Sequence, residues 1–282
     1  MTTKNSHAER RPQLHHYNLP DGVLAFSTTR LGGVGIGLYA EFNVNVYCGD
    51  SPAAVAANHQ ALCQTLHLPS SRLIFPHQTH GVEIRKIDHS FFSLSPTDRA
   101  SMLEGVDALI TDMKDVCIGV STADCIPILL YDPVHKAVAA IHAGWRGTVA
   151  RIAVNTIRRM GEMFHSDSSD LYAVVGPGIS LSRFEVGDEV YEQFEDAGFD
   201  MSAIACRYSK WHINLPLCNQ MQLLGEGLRE DRVFDCGICT YDHVERFFSA
   251  RRMGIQSGRI LTAIMMKQCE RKAIDKNRDL KL

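Results

Sequence analysis

Three residues that are far apart in the sequence, His80, Cys125 and His142, carry side chains that bind transition metals. Two imidazoles and one thiolate are typical ligands of Zn²⁺, and three protein ligands leave a fourth position for water or substrate. The same set suits a blue-copper centre, and Cys125 with one histidine could also form a nucleophile and its base. A buried thiol and a hydrogen-bonded histidine are the structural alternative. We treat the three as candidate metal ligands and catalytic residues.

The elements around Cys125 and His142 predict how these two residues could meet. Apolar runs at 116–120, 126–131 and 137–141 predict buried strands, and residues 149–164 have the apolar spacing of an amphipathic helix. Cys125 precedes the second strand, and His142 ends the third. If these two strands pair in antiparallel fashion, the thiol and the imidazole lie side by side at one end of the sheet.

Two arginines near glycines are candidates for binding an anion. Arg146 lies between Gly144 and Gly147 at the predicted start of the helix, where free backbone N–H groups favour phosphate or carboxylate. Arg30 precedes the glycine-rich segment 31–37, which lacks the spacing of a dinucleotide-binding or P-loop motif. That segment is a flexible loop or a lid. Arg146 could instead be solvated or paired with a surface carboxylate.

The sequence leaves the roles of four other polar residues open. His77, three residues before His80, could be a ligand or a core histidine. Asp124 could orient a histidine or cap a turn. Cys236 and Cys239 form a CxxC pair that is redox-active, half of a zinc site, or structural.

Composition excludes several classes of protein. A net charge of −3 over 282 residues gives no basic surface for nucleic acid, and no apolar run is long enough to span a bilayer. Residues 1–17 are charged and lack the apolar core of a secretory signal. Nine cysteines without such a signal are typical of reduced thiols, so we expect a cytoplasmic protein.

Alternating predicted strands and helices favour one α/β or α+β domain, with mixed sheets flanked by helices. We expect this catalytic domain to span residues 18–267. A frayed tail would precede it at 1–17, and a charged tail would follow at 268–282.

Several motifs together resemble the laccase-domain family, historically called multicopper polyphenol oxidases and now described as purine nucleoside phosphorylases. The two most specific are Thr122-Ala123-Asp124-Cys125-x-Pro and His142-Ala143-Gly144-Trp145-Arg146-Gly147. Others that agree are Thr28-Thr29-Arg30-x-Gly-Gly, Gln78-Thr79-His80-Gly81, Asp107-Ala108-Leu109-Ile110-Thr111, and Cys239-Thr240 with Phe247-Phe248-Ser249-x-Arg251-Arg252. The resemblance extends over about residues 24–266.

The resemblance implies a monomeric single-domain α/β fold and a metal site formed by His80, Cys125 and His142, usually assigned to zinc. It implies phosphorolysis of adenosine, inosine and S-methyl-5′-thioadenosine, with some adenosine deamination. Residues 42–45 depart from the family pattern, and Asn43 or Asn45 takes the place of the family's asparagine.

The working hypothesis is a metal-dependent purine nucleoside phosphorylase in which Arg30, Asn43 and Arg146 bind the substrate and phosphate. Copper-dependent phenol oxidation is the first alternative, although it needs several copper ions and the sequence offers one ligand set. A cysteine hydrolase acting on cell-wall precursors is the second, and a binding protein with a vestigial site is the third.

Overall fold

The central strands are uninterrupted apolar runs because neighbouring layers cover both of their faces. Ile126–Asp132 and Ala137–Ala143 are buried along their whole length. Within the first of these, Ile128 and Leu130 pack on one side and Leu129 on the other, which is the two-residue period of a strand. A strand buried on both faces needs no polar alternation.

The computed structural model describes residues 11–267. The strands in this range are β1 Leu14–His16, β2 Val23–Thr28, β3 Leu73–Ile74, β4 Ile84–Lys86, β5 Ala108–Thr111, β6 Cys117–Thr122, β7 Ile126–Asp132, β8 Ala137–Ala143, β9 Tyr172–Val175, β10 Glu185–Val186, β11 Ala205–Arg207, β12 Trp211–Ile213, β13 Val233–Asp235 and β14 Ile260–Met266. The α-helices are α1 Pro52–Leu66, α2 His89–Ser93, α3 Pro96–Met102, α4 Trp145–Val149, α5 Ile152–Phe164, α6 Asp188–Asp196, α7 Met201–Ile204, α8 Leu215–Gly225 and α9 Ala250–Met253. Short 3₁₀ helices lie at Gly37–Tyr39, Ser70–Arg72, Ser168–Asp170 and Glu230–Arg232.

These strands form three sheets. One sheet has the order β1-β2-β14-β6-β3, a second has the order β13-β9-β7-β8-β5-β4, and a small third sheet has the order β10-β12-β11. The two large sheets are mixed, since β3 runs parallel to β6, β4 to β5 and β13 to β9, while their other pairs are antiparallel.

The two large sheets pack face to face, and helices cover their outer faces. The core between the sheets includes Ala25, Ile118, Val120 and Ile264 from one and Leu109, Leu129, Val138 and Ala140 from the other. Helix α1 packs on the outer face of the five-stranded sheet. Helices α5 and α8 pack on the outer face of the six-stranded sheet. The predicted α/β domain with mixed sheets flanked by helices is therefore confirmed.

The predicted ends of the domain need one correction. The frayed tail does not reach residue 17, because Leu14–His16 pairs with β2 and the Tyr17 hydroxyl lies 2.6 Å from that of Ser27. Residues 1–10 and 268–282 of the two predicted tails lie outside the described residues. Within residues 11–267, no helix is both long and apolar enough to cross a membrane.

The helix predicted after His142 is two helices. Arg151 separates α4 from α5 and has a φ angle of +63°, in the left-handed region that ends a helix. Its guanidinium lies over the Phe199 ring at 4.3 Å and donates to the Ala197 carbonyl at 2.8 Å. Arg146 is therefore on a helix of five residues, Trp145–Val149, and not on the long amphipathic one.

Candidate metal centre and active-site cavity

The side chains of His80, Cys125 and His142 converge at one end of the six-stranded sheet. Their donor atoms all lie within 4.8 Å of one another. Antiparallel pairing of β7 and β8 puts Ile126 opposite Ala143, which brings Cys125 next to His142 as predicted. A tetrahedral ion with bonds of about 2.0–2.3 Å holds its ligands about 3.5 Å apart. The three donors are thus close to the separation that a metal needs.

Asp107, directly before β5, fixes both histidines of this cluster. Its Oδ1 accepts hydrogen bonds from Nδ1 of His142 at 2.7 Å and from the backbone N–H of His80 at 3.0 Å. Its Oδ2 accepts from the backbone N–H of Gly81 at 2.7 Å. The side chain of Asp107 is fully buried. Because Nδ1 of His142 is occupied, Nε2 is the nitrogen left for a metal.

Two further contacts support the geometry of the cluster. The Gln78 amide donates to the carbonyl of Ser121 and accepts from its N–H, both at 2.8 Å, so the loop carrying His80 is tied to the end of β6. Gly144 lies directly against the ligands. A Cβ at this position would lie 3.0 Å from Cδ2 of His80 and 3.1 Å from Sγ of Cys125.

The neighbouring charges keep the sulfur of Cys125 in its ligand form. Burial raises the pKa of Cys125, but the His142 and His80 imidazoles outweigh it and lower the pKa to about 6. Burial lowers the pKa of His142, but Cys125 and Asp107 outweigh it and raise the pKa to about 9. These opposite pKa shifts favour a thiolate beside an imidazolium when no metal is bound. A thiolate is the form of cysteine that binds metals and acts as a nucleophile.

The cluster opens into a cavity of about 650 Å³. This volume lies within the range of small-molecule sites. Its lining includes the three cluster residues together with Asn45, Tyr47, His77, Thr122, Arg251 and Arg259. A larger cavity of about 940 Å³ lies beside α1, away from the cluster, and its lining is mainly apolar. The cavity beside α1 is larger, but the residues that could carry out a reaction line the cavity at the cluster.

Two buried hydroxyls of the cavity lining have no hydrogen-bond partner within the described part of the chain. They are Oγ of Ser121 and Oγ1 of Thr122, whose residues are 6% and 1% exposed. A buried unpaired hydroxyl costs free energy, so a polar group that reached either atom would be stabilised there, although both oxygens are themselves covered by protein atoms.

A family model described as multi-copper polyphenol oxidoreductase laccase matches residues 24–267. The chain belongs to this family. A purine nucleoside phosphorylase of Bacteroides thetaiotaomicron is 48% identical over 244 residues, which are 86% of this chain and 90% of that protein. Adenosine deaminase RL5, from an unknown prokaryotic organism, is 39% identical over 250 residues, or 88% and 95% of the two chains. The crystal structure of YlmD from Geobacillus stearothermophilus has a TM-score of 0.82 at 30% identity, covering 88% and 93%.

Two arginines of this family member that were predicted to bind an anion lie outside the cavity lining. Arg30 donates from Nε to the Ala40 carbonyl at 2.7 Å and from a terminal nitrogen to the Val244 carbonyl at 2.8 Å. These two bonds connect the chain just after the glycine-rich loop, at Ala40, to the segment before α9, at Val244. Arg146 is exposed, and its guanidinium lies 4.2 Å from the centre of the Trp145 ring.

Asn43 lies behind the cavity and supports two residues that line it. The side chain is fully buried, and its Oδ1 accepts from the backbone N–H groups of Asn45 and Arg259, both at 3.1 Å. Its Nδ2 donates to Asp50 at 2.9 Å. Of the two asparagines that the sequence left open, Asn45 lines the cavity and Asn43 positions the lining.

The residues whose roles the sequence left open also have defined contacts. Asp124 lines the cavity at a φ angle of +92°, and its carboxylate accepts from the Thr240 hydroxyl and the Arg251 backbone N–H, both at 2.7 Å. These bonds favour the turn-capping role. Cys236 and Cys239 are free thiols outside the cavity lining.

Sequence reasoning did not assign Asp107, Arg251 or Arg259 to the site. Asp107 stands directly before the apolar run of β5, and Arg259 directly before β14. A charged residue next to a fully buried strand is a usable signal, because its burial requires partners. Arg251 is exposed on the short helix α9, and its signal was its place in the segment Phe247-Phe248-Ser249-x-Arg251-Arg252, which resembles the family but received no role in the site.

Proposed function

We propose that this family member is a metal-dependent purine nucleoside phosphorylase. It converts adenosine, inosine or S-methyl-5′-thioadenosine and phosphate into the free base and the corresponding ribose 1-phosphate. The observation that carries the proposal is the convergence of His80, Cys125 and His142 at a cavity of nucleoside-binding size, in a chain 48% identical to a purine nucleoside phosphorylase.

His80, Cys125 and His142 would hold the metal, and zinc fits best. Two nitrogen donors and one thiolate match its preference, and a three-residue set leaves a position for substrate or water. When bound, such an ion supplies Lewis acidity and makes water nucleophilic near neutral pH. Asp107 orients His142 through its Nδ1, as outer-shell carboxylates do in zinc proteins.

Arg259 and Arg251 are the proposed phosphate-binding residues, in place of Arg30 and Arg146. Support for Arg259 comes from its fixed position: its guanidinium donates to the carbonyls of Ile255, Ser257 and Gly258 at 2.9, 2.6 and 3.0 Å. Those contacts leave N–H groups for an anion, and a guanidinium held in place loses little side-chain entropy on binding.

Asn45, Ser121 and Thr122 are the proposed contacts for the sugar hydroxyls. The two unpaired hydroxyls are the main support, since ribose offers donors and acceptors that would satisfy them. Phosphorolysis passes through a cationic sugar, so contacts that hold the ring in place act on the transition state as well as on the substrate.

Adenosine deamination is the second candidate activity of the same site. A relative 39% identical to this chain is named an adenosine deaminase. Removal of the adenine amino group needs an activated water, which a metal held by histidine and cysteine can provide. Multi-copper oxidation fits less well, because the described residues contain one group of three donors that could hold an ion.

The decisive experiment is a product assay on a nucleoside panel, with and without phosphate, alongside elemental analysis of protein purified without added metal. Phosphate-dependent release of base, with zinc bound, supports the proposal. Phosphate-independent inosine formation from adenosine supports deamination alone. Copper above zinc with phenol oxidation, or amidase activity in chelator, would replace the proposal. Cys125→Ala is expected to abolish turnover, while Cys63→Ala, a buried thiol beside the other cavity, leaves it intact.

A further inference from the structure

A second polar cluster, formed by Tyr47, His77 and Glu104, lies at the same cavity but contains none of the metal ligands. Tyr47 and His77 line the cavity. Nδ1 of His77 lies 2.8 and 2.9 Å from the two carboxylate oxygens of Glu104. The His77 and Tyr47 rings are stacked at a centroid distance of 4.0 Å and an interplanar angle of 21°.

The backbone holds this cluster in a fixed register. The N–H of His77 donates to the carbonyl of Leu103 at 3.0 Å, and the N–H of Gly105 donates to the carbonyl of His77 at 2.9 Å. His77 and Glu104 therefore lie side by side as a parallel bridge. The carboxylate accepts the Nδ1 proton, and the Tyr47 ring covers one face of the imidazole. Nε2 is the ring nitrogen left for a ligand.

Cleavage of a purine nucleoside leaves negative charge on the departing base. Transfer of a proton to N7 of the purine neutralises this charge, and a positioned imidazole is the side chain that most often provides such a proton. The metal cluster does not need His77, whose side chain is partly exposed and can exchange protons with solvent.

We propose that His77 is the general acid that protonates N7 of the departing purine, and that Glu104 is its positioning residue. This inference rests on the proposed phosphorylase function. A phosphate oxygen bonds to C1′ while the C1′–N9 bond breaks, and its electron pair moves onto the base. The Nε2 proton of the His77 imidazolium moves to N7. The hydrogen of HPO₄²⁻, released through solvent, restores the imidazolium, so the products are the neutral base and ribose 1-phosphate.

The test compares inosine with 7-methylinosine, whose base leaves without needing a proton. His77→Gln is expected to lower kcat for inosine by about 10²-fold or more, the typical contribution of a general acid, and to leave 7-methylinosine phosphorolysis unchanged. Glu104→Gln is expected to lower kcat for inosine by a smaller factor without raising KM. His243→Gln removes another histidine that pairs with a glutamate, Glu245 at 3.4 Å, and is the matched control.

Retention of 7-methylinosine turnover also shows that the His77 variant is folded and loaded with metal. Equal losses on both substrates, or no loss on inosine, would overturn the assignment of His77 as the acid while leaving the phosphorylase proposal in place. If the wild-type protein cleaves neither nucleoside, the phosphorylase proposal fails, and the general-acid role fails with it.

Discussion

Asp107 accepts a 2.7 Å hydrogen bond from Nδ1 of His142 with the same oxygen that accepts the backbone N–H of His80. One buried carboxylate thus orients two of the three candidate ligands. The bond to His142 sets which ring nitrogen faces a metal, and the bond to His80 holds a residue whose φ angle is +63°. The geometry of the candidate metal centre therefore depends on a residue that is not itself a candidate ligand.

We expect Asp107→Asn to weaken zinc affinity about 10- to 100-fold, because outer-shell partners of histidine ligands contribute that much. Competition with a chromophoric chelator measures the affinity. Asp132→Asn is the matched control, since Asp132 is equally buried and bonds Nδ1 of His135 at 3.0 Å at the far end of β7. An equal loss of affinity in both variants would show that general destabilisation is the cause.

The sequence predicted the centre of the fold because local chemistry decides it. The apolar runs of β7 and β8 and the turn between them predict an antiparallel pair, and this pairing alone brings Cys125 to His142. The third candidate ligand, His80, was proposed from its residue type, but the sequence could not show its approach to the other two, because that depends on the long-range bonds of Asp107 and Gln78.

The arginines that line the cavity were not predictable in the same way. Arg30 and Arg146 stand next to glycines, but tertiary contacts direct Arg30 to backbone carbonyls and stack Arg146 on Trp145. Arg251 lies in a segment that resembles the family, but the segment does not show that this side chain lines the cavity, which follows from the bond of its N–H to Asp124. Arg259 reaches the cavity through the position of β14 beside β6.

Gly144→Ala is expected to lower metal occupancy while the protein stays folded. The added Cβ would meet His80 and Cys125 at 3.0 and 3.1 Å, and the φ angle of −68° imposes no backbone strain. Elemental analysis and thermal unfolding measure the two effects. Gly225→Ala, where a Cβ meets nothing within 4 Å, should change neither. Full metal occupancy in Gly144→Ala would contradict the close approach of Gly144 to the ligands.

Cys125 should react with iodoacetamide at a lower pH than an ordinary thiol does, once metal is removed. Because its pKa is lowered to about 6, the thiolate persists above that pH and is lost as the pH falls through it. The alkylation rate, followed by peptide mass mapping, should be half-maximal near pH 6, and added zinc should suppress it. Cys218 is an internal control, since burial raises its pKa to about 12. A midpoint near the ordinary value of about 8.5 would contradict the ion pair with His142.

Arg259→Lys should raise the KM for phosphate about 10- to 100-fold, since hydrogen bonds to charged groups contribute about 1.5–3 kcal/mol. Lysine keeps the charge but cannot make the three carbonyl contacts that hold the guanidinium. Initial rates at varied phosphate measure the effect. Arg252→Lys is the control, because Arg252 donates to the Tyr241 carbonyl and lies outside the cavity lining. Unchanged KM in Arg259→Lys would return Arg30 and Arg146 to consideration.

Thr122→Val is expected to raise the KM for the nucleoside without lowering the free energy of unfolding. The Thr122 hydroxyl is buried without a partner, and such a group costs about 1–3 kcal/mol, so the free energy of unfolding should stay the same or rise. The KM for the nucleoside should rise about tenfold, the effect of losing one hydrogen bond of about 1.4 kcal/mol. Urea unfolding and steady-state kinetics measure the two quantities. Thr156→Val should lower the free energy of unfolding and leave the KM unchanged. The Thr156 hydroxyl donates to the Ile152 carbonyl at 2.8 Å and lies outside the cavity. A loss of stability in Thr122→Val without a change in KM would mean that the hydroxyl has a partner within the protein and does not contact substrate.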